Sequence, residues 1–311
     1  MNGPKRHHYL PQFYLEGFCR DGYLLVFDRE TSEFRRQTPV NTAIQKHYYT
    51  VEDKDGKKDT SIEAFLSEIE GVSKPVIQKI AAKEQISDDD KYAMSVFIAF
   101  LMHRVPDFEK SVNKIGEHMI RHMADVMFSD EESAELMMKR YAEDRGGDES
   151  EMSAKDLVAF HKSGAYRIDM HRNVSLRCML NMSTDIANLF FQLDWVLFHV
   201  PKKSSFVTSD SPVFIIPPVD WNANTVYGVG LATRGAQKVV PLTQEVCLVM
   251  CDRGERILHG DLANDNVRRL NRSIAYYSDR FLIGRDEALV RNLTQTMKLA
   301  EWKRNGRIQI H

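Results

Sequence analysis

The order in which strand-like and helix-like segments follow one another limits the possible folds more than any other feature. The chain begins with an alternating hairpin, in which residues 24–27 form a strand, residues 30–32 a turn, and residue 34 begins the return strand. Helical periodicity then runs over residues 60–191, and strand-like segments return over residues 195–251. Strands and helices therefore do not alternate as in a doubly wound sheet, and the order predicts an α+β protein.

The predicted hairpin is too small to be stable alone, so we expect it to pack against the later sheet or the helices. This predicts one α+β domain, residues 1–311, in which an N-terminal β-hairpin and a C-terminal, mainly antiparallel sheet pack against a central helical bundle. A helical insertion is expected around residues 107–165. The best linker in the chain, EDRGGDESEMS, lies within that insertion.

Glycine and proline predict where the helices are interrupted. The first long helix is expected to break or kink near residues 71–75, because Gly71 and Pro75 interrupt its apolar pattern. The next helix has an N-cap at Ser87 and a wide apolar face, which is typical of a buried central helix. Pro106 is expected to end or kink it.

Composition and charge exclude several classes of protein. With 43% hydrophobic and 28% charged residues, the chain has an ordinary globular composition, and its formal net charge of -2 produces no global field that would attract nucleic acid or an acidic membrane. A local basic patch stays possible. No stretch approaches the roughly 20 apolar residues that span a bilayer, and no apolar signal segment is recognisable near the start. We therefore expect a cytoplasmic protein with no membrane partner and with free thiols on its 4 cysteines.

The N-terminal segment HHYLPQF combines a histidine with a proline-containing apolar turn. His8 can act as a base, an acid or a ligand near neutral pH. Pro11 restricts its own φ and can begin the first turn of a helix. The alternative is that the segment only anchors the N-terminus in the core and that the histidine caps a neighbouring group. The residues alone leave both interpretations open.

Three further polar groups lie at the edges of apolar elements. Glu63 and Glu70 are seven residues apart on a predicted helix and face nearly the same side, so they can hold a divalent cation or act as acid and base. A solvated helix face is the alternative. Arg104 ends an apolar helix, where it can clamp a phosphate or carboxylate or pair with one of these glutamates. Asp210, at a strand end in TSDSP, can bind a ligand, orient His8, or accept hydrogen bonds from backbone amides.

Other metal or catalytic motifs are weaker. His118 and His122 have the i, i+4 spacing of a metal pair on one helix, but no third ligand follows at a characteristic distance. Cys247 and Cys251 lie in CLVMC, which is continuously apolar and typical of a buried strand. The sequence contains no P-loop, nucleophile elbow or dinucleotide-binding glycine motif.

The segments HHYLPQFYLEGF, IEAFLSEIEG, FLMHRVPDF and FVTSDSPV, in that order, resemble a widespread bacterial domain family of unknown function. That family is marked by an N-terminal H-x-x-P motif, matched here by His8 and Pro11, and by a later T-S-D-x-P motif. The resemblance covers roughly residues 7–283 and implies no activity. It implies that the five site candidates belong to shared motifs; Ser211 stands where the family usually has asparagine.

Together these features predict that His8, Glu63, Glu70, Arg104 and Asp210 converge in one cleft between the helices and the C-terminal sheet. We expect a metal-assisted hydrolase, a nuclease in particular, with His8, Arg104 and Asp210 as catalytic residues. Glu63, Glu70 and Asp210 would hold Mg²⁺ or Mn²⁺. The alternative is a non-catalytic binding module in which the same cluster is a structural polar network. Its partner would be a nucleic acid, or a protein bound through the methionine-rich helices at 115–141.

Overall fold

The structure is a computed structural model that describes residues 6–52, 58–144, 152–221, 228–254 and 256–296. Within these residues, the long helices follow one another through the middle of the chain, and strands flank them on both sides. The protein is therefore an α+β protein, as the order of its segments predicts. Most of the predicted linker EDRGGDESEMS lies outside the described residues.

The helices of the described chain have the following bounds: α1 (Gln12–Glu16), α2 (Ser61–Ala81), α3 (Asp88–His103), α4 (Pro106–Met127), α5 (Glu131–Asp144), α6 (Ala154–Ser163), α7 (Arg172–Phe191), α8 (Asn264–Tyr277) and α9 (Glu287–Thr296). Ser87 caps α3 through a bond from the Asp90 amide, as predicted. α4 begins at Pro106, so the proline separates two helices. None of the helices described is long and apolar enough to cross a membrane.

A break near residues 71–75 does not occur, because α2 continues through both Gly71 and Pro75. The alternative, a kink at these residues, stays a prediction. A proline at position 75 removes the hydrogen bond to the carbonyl of residue 71. Both residues are exposed, so water can satisfy that carbonyl. The opposite face of α2 buries Ile62, Leu66 and Ile80 and holds the helix together across the missing bond.

The strands of the described chain have the following bounds: β1 (Arg6–His8), β2 (Leu24–Asp28), β3 (Glu33–Gln37), β4 (Ile44–Lys46), β5 (Val51–Glu52), β6 (Lys58–Asp59), β7 (Leu193–His199), β8 (Thr208–Ser209), β9 (Phe214–Ile216), β10 (Gln237–Pro241), β11 (Val246–Arg253), β12 (Ile257–Asp261) and β13 (Phe281–Gly284). A five-stranded sheet has the order β12-β7-β11-β10-β9, and only its β12–β7 pair is parallel. The predicted hairpin, β2 and β3, pairs with β13 in a four-stranded sheet of order β3-β2-β13-β8. The hairpin is thus stabilised by sharing a sheet with a C-terminal strand.

The chain divides into two compact units. The first comprises Met1–Phe108 and Met179–His311, and the second comprises Glu109–Cys178. The first unit contains both larger sheets, and its core includes the fully buried side chains of Trp195 and Phe97. In the second unit α5 and α6 pack together. The interpretation of residues 1–311 as a single domain stays a prediction.

Candidate functional site

Strand β1 determines where the two N-terminal histidines point. It pairs antiparallel with β4, and His8 lies opposite Ile44. Because side chains alternate along a strand, neighbouring residues face opposite sides. His7 is completely buried, whereas His8 is only partly buried. Pro11, with a φ of -57°, then begins α1 and completes the turn predicted from HHYLPQF.

The hydrogen bonds of the His8 ring define its protonation. Its Nε2 lies 3.1 Å from the carbonyl oxygen of Val40, and its Nδ1 lies 3.4 Å from the side-chain amide of Gln12. A carbonyl oxygen can only accept, so Nε2 carries the proton and Nδ1 presents its lone pair. Burial lowers the pKa of His8, against the opposing effects of the Val40 carbonyl and the Glu70 charge. His8 is therefore a neutral imidazole with an orienting partner, which is the arrangement of a general base.

His8 lines a cavity of about 330 Å³, which we call the His8 pocket. The residues that line it are His8, Gln12, Phe13, Glu16, Glu63, Ser67, Glu70 and Lys74. They come from the N-terminal turn and from one face of α2, as the seven-residue spacing of Glu63 and Glu70 predicts. Three glutamates against one lysine make the pocket acidic, so a bare phosphate would be repelled unless a cation accompanied it.

Arg104 lies behind this pocket rather than in its wall. The residue ends α3 and is only 4% exposed. Its guanidinium donates to the Glu70 carboxylate at 2.7 Å, to the His8 backbone carbonyl at 2.8 Å, and to the Tyr49 hydroxyl at 3.1 Å. Of the two roles predicted for Arg104, the structure therefore shows the pairing with Glu70. Arg104 holds the N-terminal turn against α2 and forms a charge-assisted hydrogen bond with the Glu70 carboxylate.

His7 is a site residue that the sequence analysis did not select. Its Nδ1 accepts a hydrogen bond from the Tyr49 backbone amide at 2.9 Å, so its Nε2 carries the proton. That nitrogen lies 3.4 Å from the Glu63 carboxylate, and the ring stacks on Tyr49. His7 thus positions the Glu63 carboxylate from the buried side of the pocket wall. Side chains of neighbouring residues on a strand face opposite sides. Applied to His7 and His8, this rule could have predicted that one histidine faces the interior and the other the pocket.

Asp210 lies in a different part of the molecule, which we call the Asp210 turn. Its carboxylate accepts the backbone amides of Asp279 at 3.1 Å and of Arg280 at 2.8 Å, just before β13 begins. Asp210 follows β8, which pairs with β13, and it is 2% exposed. Burial raises the pKa of Asp210 to about 6, although these amide bonds oppose the effect. Of the roles predicted for Asp210, acceptance from backbone amides is the one observed.

Two tyrosines, rather than His8, connect the N-terminal turn with TSDSP. The Tyr14 hydroxyl donates to the Pro241 carbonyl at 2.7 Å and lies 2.6 Å from the Thr208 hydroxyl. Burial raises the pKa of Tyr9, and the nearby charge of Asp210 raises it further. The segments HHYLPQFYLEGF and FVTSDSPV therefore meet in the interior. Tyr9, the residue after His8, takes the place near Asp210 that was expected for the histidine.

Among the described residues, three of the five predicted site residues line the His8 pocket, and Arg104 and Asp210 do not. The structure brings together His8, Glu63 and Glu70 in the His8 pocket and places Arg104 directly behind Glu70. Asp210 is separate: within the described residues no hydrogen bond or ion pair joins it to His8. The physical reason is that a buried carboxylate next to unpaired backbone amides is satisfied locally.

The donor set for a metal is correspondingly small. No three side chains of His, Cys, Asp or Glu, among the residues described, are grouped so that they could hold a metal ion. This applies to the His118 and His122 pair and to the cysteines of CLVMC, which are free. Mg²⁺ is often held by one or two carboxylates together with a substrate phosphate. Glu63 and Glu70 fit that smaller set, since both are carboxylates on one pocket wall.

Comparison with known proteins gives one match. Residues 6–288 match a family described as "Protein of unknown function (DUF4238)". No curated protein and no solved structure matches the chain. The match spans both the His8 pocket and the Asp210 turn.

Proposed function

The chain belongs to the DUF4238 family, and we propose from the His8 pocket that it is a metal-assisted hydrolase that cleaves phosphodiesters. The description of the family assigns no activity. The observation that carries this proposal is the His8 ring in the wall of an open acidic cavity, where Nδ1 meets only the side-chain amide of Gln12 at 3.4 Å. The hydrogen bond from Nε2–H to the Val40 carbonyl leaves Nδ1 as the ring nitrogen that can accept a proton. An imidazole in this state can take a proton from an attacking water molecule.

The remaining pocket residues divide the other tasks. Glu63 and Glu70 would hold Mg²⁺ or Mn²⁺, which supplies positive charge next to a phosphate when it is bound. Arg104 holds the Glu70 carboxylate in place, so it is a positioning residue in this proposal. Gln12, at 3.4 Å from Nδ1, would release His8 to water or substrate. Asp210 has no part in the reaction.

The test is cleavage of single-stranded DNA, duplex DNA and RNA by purified protein in Mg²⁺ or Mn²⁺. We expect cleavage of at least one of these substrates that stops when the cation is chelated. His8→Asn should reduce the rate by about 100-fold or more, with an unchanged melting temperature. Glu68→Gln is a matched control, because Glu68 is exposed on α2 but does not line the pocket. Absence of cleavage on all three substrates, or full activity of His8→Asn, would overturn the proposal.

A second candidate is a non-catalytic interaction module, and specific observations favour it. Arg104, Tyr14 and Asp210 all direct their polar atoms at internal partners, as a structural network would. In addition, α4 exposes apolar side chains at Met119 and Met123, which are 59% and 53% exposed. Exposed methionines suit an adaptable protein surface. Under this proposal Met119→Glu with Met123→Glu abolishes capture of a protein partner, and His8→Asn does not.

Cellular location, binding of nucleic acid and bacterial origin are further proposals for this protein. We propose a reducing, cytoplasmic location, which the four free cysteines support, since a secreted protein commonly pairs them. Binding of nucleic acid without cleavage predicts an affinity that falls steeply with salt concentration. The bacterial origin implied by the resemblance stays a prediction.

A further inference from the structure

A second cavity lies at the β10 and β11 strands of the five-stranded sheet and shares no lining residue with the His8 pocket. It has a volume of about 360 Å³, within the range of small-molecule sites. The described residues that line it are Leu189, Leu193, Leu231, Ala232, Thr233, Arg234, Gly235, Lys238 and Asp252. Three leucines form an apolar wall, and the charged groups are two cations and one carboxylate. We call this cavity the Lys238 pocket.

Lys238 is the unusual member of this lining. It lies on β10, a strand whose residues are all buried, and it is only 3% exposed. Its ammonium donates to the Ala236 carbonyl at 3.0 Å and forms no ion pair among the described residues. An ammonium has three donors, and a buried charge with a single neutral acceptor is costly. Burial lowers the pKa of Lys238, and the neighbouring Cys251 and Asp252 oppose that effect only in part.

We propose that the Lys238 pocket binds a small carboxylate with an apolar chain, whose anionic group pairs with the Lys238 ammonium. An anion supplies the charge that this buried lysine lacks, and the leucines provide a surface for a short hydrocarbon chain. Arg234 adds a second positive charge to the pocket. Asp252 opposes it, so that the three charges together favour an anion over a cation.

The test is isothermal titration of the full chain with acetate, butanoate, hexanoate and octanoate, with hexylammonium as a size-matched cation. We expect saturable binding of at least one carboxylate at about 1 mM or below and none of hexylammonium. Lys238→Met removes the ammonium but keeps an unbranched side chain that is one atom shorter, and it should weaken carboxylate binding by about tenfold or more. Arg234→Gln should weaken it and Asp252→Asn should tighten it, each by a few-fold. Lys83→Met, at an exposed lysine outside the pocket, is the matched control.

A measurement on the wild type guards against a variant that does not fold. In nuclear magnetic resonance spectra of the 15N-labelled wild type, the backbone amide signal of Lys238 should shift when the carboxylate that binds is added, whereas the signal of Lys83 should not. The proposal is overturned if no carboxylate in the series binds saturably, if Lys238→Met binds as well as wild type, or if Asp252→Asn weakens binding. None of these outcomes bears on phosphodiester cleavage, because the two pockets share no residue.

Discussion

The His8 pocket and the Asp210 turn contain the same kinds of residue but use them differently. In the His8 pocket the carboxylates of Glu63 and Glu70 are 27% and 24% exposed, and the His8 ring lines an open cavity. At the Asp210 turn the carboxylate is almost inaccessible, and backbone amides occupy its oxygens. A polar motif is therefore available for chemistry only where the fold leaves its acceptors reachable from solvent.

This comparison predicts that residues of the interior networks determine stability, whereas residues of the pocket wall determine activity. Four substitutions test this division. They are ordered below by their expected effect on the free energy of unfolding.

The largest effect is expected for Arg104→Met. It removes three hydrogen bonds, to Glu70, the His8 carbonyl and Tyr49, from the interior. Removing one partner of a buried ion pair commonly costs about 3–5 kcal/mol, and urea denaturation should show a loss of this order. Arg268→Met, which removes an ion pair between the exposed side chains of Arg268 and Asp265, should change the free energy of unfolding by less than about 1 kcal/mol. Equal losses in the two variants would contradict the interior role of Arg104.

The second effect depends on pH and concerns Asp210. Its folded-state pKa of about 6 lies above the usual value of 3.8. A carboxyl with a raised pKa stabilises the fold in its protonated form: the contribution is complete below the unfolded-state pKa and is lost as the pH rises through the folded-state pKa. Between about pH 4 and about pH 6, the wild type should therefore lose up to about 3 kcal/mol relative to Asp210→Asn.

Denaturation of both proteins at several pH values measures this difference. Asp220→Asn is the control, because Asp220 is exposed and the variant should follow the wild type at every pH. A gap between wild type and Asp210→Asn that widens in favour of the wild type as the pH rises would show that the sign is wrong.

A smaller loss is expected for Tyr14→Phe. The substitution leaves the Pro241 carbonyl and the Thr208 hydroxyl without their shared partner in a buried position. The expected cost is about 1–2 kcal/mol, measured by thermal or chemical unfolding. Tyr92→Phe, at a side chain that is 44% exposed, should be nearly neutral. If the two variants were equally stable, the Tyr14 hydroxyl would not connect the N-terminal turn with TSDSP.

The smallest effect on stability, with the largest on activity, is expected for Glu63→Gln. The carboxylate is partly exposed and its contact with His7 is long, at 3.4 Å, so the free energy should change by less than about 1 kcal/mol. Phosphodiester cleavage should nevertheless fall to background, whereas Glu68→Gln should retain it. A stable Glu63→Gln protein with full cleavage activity would remove Glu63 from the proposed active site.

The sequence determined the class of fold and the placement of two glutamates in the wall of the His8 pocket. The non-alternating order of strands and helices is a property of local periodicity, so α+β could be derived from it. The seven-residue spacing placed Glu63 and Glu70 on one face of α2 because helical geometry is set by the backbone. The continuity of α2 through Pro75 could not be derived in this way, because the packing of its buried face outweighs the local preference for a break.

Only the tertiary structure decided which polar groups meet. Asp210 was expected opposite His8, yet the amides before β13 satisfy it, and the neighbouring Tyr9 approaches it instead. The sequence around Lys238 does not predict a pocket, since β10 has the pattern of an ordinary buried strand that contains one lysine. Local patterns specify which elements form and which faces they present. Which donors reach a buried charge depends on contacts between residues far apart in the chain, and no spacing in the sequence encodes those distances.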